Sequence, residues 1–310
     1  MERDPKSKRS RRYTDTKKKK EEKSADEKIR EHLNSGEMTI AKVFIADSKA
    51  TLPPILHDQL ISCVKRCQTE GQDKFLIALS GGSLPAFLGA DGLISSFMAS
   101  GVDPEWEKWY VFLADERCVD NSHKDSNYRS IREHMLTDQI PIPSSQIFPI
   151  DDSMLGNAST EEIAKAYENR LMNVLGDSGV FDCILCGFGP DGHTCSLFPG
   201  HPLLEETKRM VASIEDSPKP PPERITLTFP VLNAAKHVVF CGAGSSKAPI
   251  LEAVFSKTPE EVVSAQTKGI TVLMTEPAPY PCGMVKSNEL VWVVDKDASD
   301  GVSALSQGTN

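Results

Sequence analysis

The sequence predicts an α/β protein with a mostly parallel, Rossmann-like sheet that helices cover on both faces. Strand-like and helix-like segments alternate from about Met38 onward. Several strand segments are continuous apolar runs, such as FDCILCGFG at 181–189, and such runs are typical of strands buried on both faces of a parallel sheet. Loops rich in Gly, Ser or charge follow four of the strands, as expected where ligands bind beyond the carboxyl ends of strands.

Short apolar runs predict the strands, and apolar residues at helical spacing predict the helices. The first half of the chain contains, in order, strand 38–46, helix 51–70, strand 74–79, helix 85–98, strand 108–116, helix 126–138 and helix 160–176. The second half contains strand 181–189, a strand leading into a helix at 224–235, strand 236–244, helix 245–256 and strand 289–295. Ser159 and Glu162 have the spacing of a capping box at the start of helix 160–176. The Pro-rich segment SPKPPPE at 217–223 is too short for a domain linker and predicts a surface loop.

The sequence predicts one domain boundary, near residue 37. Residues 1–36 contain almost no large apolar side chains, and low hydrophobicity combined with high charge predicts a disordered basic tail. Residues 37–310 are enough for one large α/β domain, and no internal repeat divides them. We therefore predict a tail followed by a single domain.

Charge is distributed unevenly along the chain. Residues 1–30 contain 13 Lys and Arg against 7 Asp and Glu, whereas the whole chain carries a net charge of −9. The remaining residues, 31–310, therefore carry about −15. This charge argues against nucleic acid as the ligand of the folded domain, because binding to a phosphate backbone needs a broad positive field. A small phosphorylated substrate needs only a few local cations and is compatible with it.

The sequence also predicts a location. No stretch approaches the roughly 20 apolar residues of a membrane span, and the N-terminus has no apolar core of a secretory signal. These features predict a cytoplasmic protein. The basic clusters KSKRSRR at 6–12 and KKKK at 17–20 resemble a nuclear localisation signal, so they predict an import receptor as partner and a nuclear fraction. A solvated extension without a partner is the alternative.

Eight cysteines are spread through the chain. Without a secretory signal they are predicted to be reduced thiols. Cys183 and Cys186 have C-x-x-C spacing, but they lie in an apolar run, and no second Cys or His pair accompanies them. They are therefore predicted to be core side chains rather than metal ligands.

Two of the loops that follow strands have the character of phosphate-binding loops. In Ser80-Gly81-Gly82-Ser83, the two glycines allow a tight turn, so that backbone amides can approach an anion at a helix N-terminus. The spacing is that of neither a dinucleotide-binding loop nor a P-loop. Lys247 opens the predicted helix 245–256, where a cation is unfavourable unless it faces an anion. A structural turn and a solvated lysine are the alternatives.

The segment GFGPDGHT at 187–194 is the most informative of these loops. His193 follows Asp191 by two residues, so the carboxylate can orient the imidazole. A neutral imidazole can accept a proton from water near neutral pH. Asp115-Glu116-Arg117 ends another strand, where the three charges either bind substrate or simply meet solvent.

These residues together resemble a known family. The motifs LSGGSLP at 79–85, DER at 115–117 followed by SNY, GFGPDGHTCSLFPGHP at 187–202, RITLTFPVLNAA at 224–235 and GAGSSKAPIL at 242–251 occur in the order typical of 6-phosphogluconolactonases. The resemblance covers roughly residues 40–298. It implies a three-layer αβα sandwich, similar to the fold of glucosamine-6-phosphate deaminases and ribose-5-phosphate isomerases.

The resemblance further implies that the chain hydrolyses 6-phospho-D-glucono-1,5-lactone to 6-phosphogluconate in the oxidative pentose phosphate pathway. A δ-lactone is an activated ester, so one base, a positioned water and oxyanion stabilisation are enough, and we predict no metal and no other cofactor. In this scheme His193 is the base and Asp191 orients it. The residues expected to bind the phosphate are Gly81, Gly82, Ser83, Arg224 and Lys247. Arg117 is expected to contact substrate charge or the carbonyl side.

The chain departs from the family pattern at two positions. Leu84 replaces the usual Thr of the GGSTP loop, and Ala114 replaces the Gly that usually precedes DER. Two other functions are open alternatives: a glucosamine-6-phosphate deaminase and a sugar-phosphate sensor without catalysis. Deaminases typically have a Glu-containing segment similar to IAFNEP after DGH, whereas this chain has TCSLFPG at 194–200. They also have DEY in place of DER, so both comparisons favour the lactonase.

Overall fold

The computed structural model describes residues 39–176, 179–256 and 269–306. The predicted tail, with both basic clusters, lies outside the described residues. The strands are β1 Ile40–Ala46, β2 Phe75–Leu79, β3 Trp109–Leu113, β4 Asp115–Arg117, β5 Ile147–Phe148, β6 Cys183–Gly187, β7 Val211–Ile214, β8 Arg224–Leu227, β9 His237–Gly242, β10 Phe255–Ser256, β11 Ile270–Met274 and β12 Glu289–Asp295. The α-helices are α1 Leu52–Thr69, α2 Leu84–Phe87, α3 Ala90–Ser100, α4 Asn127–His134, α5 Thr160–Leu175, α6 Phe229–Ala234, α7 Ala248–Val254 and α8 Lys296–Ser299.

The main sheet has nine strands in the order β10-β11-β1-β12-β9-β6-β2-β3-β5. The seven strands from β1 to β5 in this order pair in parallel, whereas β11 pairs antiparallel with β1 and with β10. Helices lie on both faces, so the predicted three-layer α/β sandwich is confirmed. Parallel strands align their carboxyl ends, and the loops after β2, β6 and β9 therefore open at one edge of the sheet.

A second, small sheet has the order β4-β8-β7 and is antiparallel. The sequence predicted one strand over 108–116, but the chain leaves the main sheet at Ala114 and enters the small one. The amide of Ala114 donates to the carbonyl of Leu79 at 2.9 Å, and its own carbonyl accepts from the amide of Leu227 at 2.8 Å. Ala114 thus joins the two sheets. The sequence did not indicate that the chain changes sheets there, because Ala114 continues the apolar run of the predicted strand.

Strands β5, β7, β10 and β11 were not predicted, and the α-helices in the predicted ranges 126–138 and 245–256 are shorter than predicted. The predicted helix 85–98 is two helices, α2 and α3, separated at Leu88 and Gly89. The predicted capping box is confirmed: the hydroxyl of Ser159 accepts from the amide of Glu162 at 3.2 Å, and the carboxylate of Glu162 accepts from the amide of Ser159 at 2.8 Å. All eight cysteines are free. None of the helices in the described part of the chain is long and apolar enough to cross a membrane.

Aromatic and aliphatic side chains from the strands fill the core. Trp292 of β12 stacks on Phe240 of β9 with ring centroids 4.3 Å apart, and Phe112 of β3 stacks on Phe148 of β5 at 4.3 Å. The two pairs lie in different parts of the main sheet, separated by β6 and β2, and their packing helps to hold the strands whose ends carry the loops. The rigid sheet therefore positions the loops described below.

Candidate active site

A cavity of about 250 Å³ lies at the carboxyl end of the main sheet, between that sheet and the small one. Loops that follow β2, β6 and β9 form one part of its wall, and β4 and β8 form the other. The predicted site residues that line it are Gly81, Gly82, Ser83, Arg117, His193, Arg224 and Lys247. The remaining one, Asp191, contacts His193 directly. The structure thus brings all of the predicted residues to one place.

The loop at 80–83 is tightly packed on one side and open on the other. A Cβ on Gly81 would lie 1.8 Å from Oδ1 of Asn127, so only glycine fits there. Gly82 has a φ of +69°, a conformation that favours glycine. The loop leads directly into α2, whose first residue, Leu84, is buried and lines the cavity. Leu84, which replaces the usual Thr, leaves the Gly-Gly-Ser backbone at the cavity wall.

His193 and Asp191 form a hydrogen-bonded pair. Nδ1 of His193 lies 2.5 Å from Oδ1 of Asp191, a separation that requires a proton between the two atoms. The imidazole also stacks on the ring of Phe198, with centroids 4.9 Å apart. A Cβ on Gly189 would lie 2.1 Å from Nδ1 of His193 and 2.2 Å from Oδ1 of Asp191, so this glycine makes room for the pair.

The pair is poised for proton transfer near neutral pH. Burial lowers the pKa of His193, and the neighbouring Asp191 opposes that shift only in part. Burial raises the pKa of Asp191, but hydrogen bonds from His193 and Lys219 outweigh it and bring this pKa to about 2. Asp191 is therefore ionised and His193 is neutral at pH 7. Because Nδ1 carries the proton that Asp191 accepts, the basic lone pair lies on Nε2.

Two arginines come from the small sheet. Arg117 of β4 and Arg224 of β8 are register partners. Arg224 is buried and largely occupied: Nε donates to the carbonyl of Pro221 at 2.9 Å, and Nη2 donates to the carbonyl of Lys219 at 2.7 Å. Nη1 of Arg117 donates to the carbonyl of Asp125 at 2.6 Å, and its buried Nε has no partner among the described residues.

Lys247 precedes α7 and lies partly buried at the cavity wall. Its ammonium donates to the carbonyl of Phe188 and lies 5.1 Å from the centre of the Phe188 ring. Burial lowers the pKa of Lys247, and the charge of Lys219 lowers it further. An anion in the cavity would relieve both costs, as the placement of Lys247 at a helix start suggests.

The sequence did not single out the buried groups that hold the DER segment. The carboxylate of Glu116 is fully buried and accepts hydrogen bonds from the amides of Arg117, Asn127 and Tyr128 and from the hydroxyl of Ser126, at 2.7 to 3.0 Å. Burial raises the pKa of Glu116 to about 7, even though these four donors favour the ionised form. Glu116 thus ties β4 to the start of α4. The SNY motif at 126–128, which supplies three of these donors, is the sequence signal that could have indicated this contact.

Asp115 is a second buried carboxylate at this wall. Its Oδ2 accepts from the hydroxyl of Ser196 at 2.8 Å, and its backbone carbonyl accepts from the side-chain amide of Asn127 at 2.8 Å. Asp115 lines the cavity, so it can meet a substrate hydroxyl there. The sequence placed Asp115 in the DER motif without giving it a separate role.

Lys219 was missed altogether. The Pro-rich segment 217–223 is a surface loop, as predicted, but its Lys219 side chain also contacts the DGH segment. Nζ of Lys219 lies 3.0 Å from Oδ2 of Asp191 and 3.0 Å from Nδ1 of His193. The reason is local: Arg224 binds three carbonyls of this segment and draws it toward the cavity.

Comparison with known proteins places the chain in a family. The family described as glucosamine-6-phosphate isomerases/6-phosphogluconolactonase matches residues 47–292. The chain is 39% identical to the 6-phosphogluconolactonase of Rattus norvegicus over 81% of its own length and 88% of the relative's. The chain belongs to this family. A human 6-phosphogluconolactonase is 38% identical over 75% of this chain and 83% of its own length.

Solved structures of the family agree with this membership. A 6-phosphogluconolactonase from Trypanosoma cruzi superposes with a TM-score of 0.65 at 26% identity, and the match covers 85% of this chain and 97% of that one. A monomeric glucosamine-6-phosphate deaminase superposes with a TM-score of 0.59 at 17% identity, which shows a shared fold alone. Ala114, at the position where the resemblance implies Gly, is buried and hydrogen-bonds to both sheets.

Proposed function

We propose that this chain hydrolyses 6-phospho-D-glucono-1,5-lactone to 6-phosphogluconate, with His193 as the general base. One observation carries the proposal: a neutral, carboxylate-paired imidazole lies in a cavity that Arg117, Arg224 and Lys247 also line. The cations suit a phosphorylated substrate, and the imidazole suits the activation of water. The relatives named 6-phosphogluconolactonase support the same reaction.

The proposed reaction needs only groups at this wall. Nε2 of His193 removes a proton from a water that attacks the lactone carbonyl, while Asp191 keeps the proton on Nδ1. The resulting tetrahedral oxyanion collapses as the bond between the carbonyl carbon and the ring oxygen breaks, and the imidazolium returns its proton to that oxygen. Water adds across one ester bond, and the product is a carboxylic acid and a hydroxyl group. Correct positioning of such groups supplies much of the rate.

The phosphate is proposed to bind at the loop of Gly81, Gly82 and Ser83 together with Lys247 and Arg224. The glycines expose backbone amides at the start of α2, and the two cations add charge-assisted hydrogen bonds. Several donors of Arg224 already bind carbonyls of the segment 217–223. We therefore propose that Arg224 contributes less to phosphate binding than Lys247 does. Arg117, which lines the cavity, is proposed to contact the carbonyl side or substrate charge.

A real-time assay with 6-phospho-D-glucono-1,5-lactone, corrected for spontaneous opening, tests the proposal. We expect saturable acceleration that requires His193. Phosphosugar binding without acceleration would instead support a sensor. Ammonia release from glucosamine 6-phosphate would support a deaminase, for which the segment 194–200 supplies no Glu.

We also propose that the chain acts in the cytoplasm, and that the basic clusters at 6–12 and 17–20 direct a fraction to the nucleus by binding an import receptor. The support is the spacing of the two clusters. Fluorescent fusions with and without residues 1–36 test this idea. Identical distributions would leave the solvated extension as the explanation.

A further inference from the structure

Two charged groups, Asp191 and Lys219, meet behind the imidazole that the proposed mechanism uses. Nδ1 of His193 lies 2.5 Å from Oδ1 of Asp191. Nζ of Lys219 lies 3.0 and 3.1 Å from the two carboxylate oxygens of Asp191, and 3.0 Å from Nδ1 of His193. The ammonium has no lone pair, and Nδ1 already donates its proton to Asp191. The contact between Lys219 and His193 is therefore a repulsion, and Lys219 donates to Asp191.

Hydrogen bonds to neighbouring residues fix the position of Lys219. Nη2 of Arg224, which is buried, donates to the carbonyl of Lys219 at 2.7 Å. The hydroxyl of Ser217 donates to the same carbonyl at 2.9 Å. These two bonds fix the backbone of Lys219, so that its side chain has to span only the distance to Asp191.

The physical problem at this site is the charge of Asp191. A carboxylate bonded to Nδ1 fixes the useful tautomer, but it also stabilises the imidazolium, and a protonated His193 cannot accept a proton. A cation on the same carboxylate offsets its charge and keeps the hydrogen bond. Lys219 is in that position, and its side chain is 38% exposed, so solvent moderates the effect.

We propose that Lys219 is a positioning residue that neutralises Asp191, so that Asp191 can orient His193 without holding it protonated. The inference rests on the proposed role of His193 as general base. It assigns a function to the segment 217–223, which the mechanism above does not use.

Other charges surround the imidazole and remain in place when Lys219 is changed. Asp115 of β4 favours the protonated form of His193. Arg224 of β8 lies 5.7 Å from the Phe198 ring on which the imidazole stacks. Lys247 follows β9 and lines the same cavity. When Lys219 is removed, less positive charge offsets the negative charges of Asp191 and Asp115. The protonated form of His193 therefore becomes more stable.

The test compares wild type with Lys219→Met, Lys219→Arg and a control, Lys208→Met, which removes the same charge from an exposed position outside the cavity. The measured quantity is the ratio of kcat/KM at about pH 8 to kcat/KM at about pH 6. We expect Lys219→Met to raise this ratio by up to about fivefold, the factor that corresponds to an exposed ion pair, because the pKa of His193 rises toward the lower of the two pH values. Lys219→Arg and Lys208→Met should keep the wild-type ratio. A structural role would lower kcat/KM equally at both pH values, and that result would overturn the proposal.

A second measurement does not depend on lactone hydrolysis. The imidazole nitrogen resonances of His193, assigned by comparison with His193→Gln, are titrated with pH in the free wild-type and Lys219→Met proteins. We expect protonation of His193 at higher pH in the variant. Unchanged titration would refute the role of Lys219, even if the chain hydrolyses the lactone. A changed titration in a protein without lactonase activity would instead refute the proposed function and retain the electrostatic coupling.

Discussion

The imidazole of His193 is the group on which the proposed hydrolysis most directly depends. We expect His193→Ala to lower kcat by roughly 10²–10⁴, the range for loss of general acid–base catalysis, and to change KM far less. The control is His134→Ala, which removes an exposed histidine at the end of α4. A His193→Ala variant with near-wild-type kcat would remove this residue from the mechanism.

The same residue predicts a pH dependence. The neutral imidazole is the active form, and burial places its pKa below the ordinary value of 6.5. The activity of the wild type should therefore be retained from neutral pH down to 6.5 and be lost as the pH falls through the lower pKa of the folded protein. An acid limb above 6.5 in the profile of kcat/KM would contradict this assignment.

Lys247 and Arg224 should behave differently although both line the cavity. We expect Lys247→Ala to weaken transition-state binding of the phosphorylated lactone by about 1.5–3 kcal/mol, because one charge-assisted hydrogen bond is lost. Hydrolysis of the non-phosphorylated lactone should change little. Arg224→Ala should impair both lactones, since Arg224 also holds the segment that carries Lys219. Equal losses for both substrates in Lys247→Ala would indicate a structural role for that lysine.

Among individual residues, the sequence predicted those site residues that lie in recognisable motifs, and it missed Lys219, which does not. His193 and Lys247 follow strands and have neighbours of a recognisable type. Lys219 lies in a Pro-rich segment without periodicity, and its position depends on contacts with Arg224 that no local pattern records. The contact of Lys219 with Asp191, 28 residues away in sequence, leaves no signal of that kind in the segment 217–223.

Among the elements, the loop after β6 is so closely packed at Gly189 that an added side chain would displace the His193–Asp191 pair. We expect Gly189→Ala to destabilise the protein by about 1–3 kcal/mol, as overpacking usually does, and to separate His193 from Asp191. The new Cβ would lie 2.1 and 2.2 Å from atoms of these two side chains. The control is Gly187→Ala, whose Cβ would meet nothing within 4 Å.

Thermal or urea unfolding of both variants checks this expectation. The variant Gly189→Ala should unfold at a lower denaturant concentration than Gly187→Ala, and the pH dependence of its remaining activity should change. Equal stability of the two variants would mean that the loop relaxes around the added methyl group. The crowded position would then have no role in holding the pair.

Elements were predicted well where a pattern is local. The capping box of Ser159 and Glu162 is visible in four residues, and the structure contains it. The division of 108–116 into β3 and β4 was not visible, because Ala114 continues an apolar run while its hydrogen bonds pass to another sheet. The separation of α2 from α3 had a weak signal in Gly89. Pairing between strands decides such boundaries, and the sequence of one strand does not contain it.

For the whole molecule, the predicted tail can be tested by deletion. We expect removal of residues 1–36 to leave kcat/KM and Tm almost unchanged, because the first described strand starts at Ile40 and the residues that line the cavity begin at Ser80. Steady-state kinetics and thermal unfolding of the truncated chain check this. A large loss of activity would show that the tail contributes to the site.

The junction of two sheets at Ala114 has a consequence for the bound state. Arg117 and Arg224 belong to the small sheet, whereas Gly82 and Lys247 follow strands of the main one, so a phosphosugar that contacts all of them acts as a crosslink between the sheets. Hydrogen exchange should then slow in β7 when 6-phosphogluconate is present, although no residue of that strand lines the cavity. Protection confined to the loops would mean that the two sheets respond to the product separately.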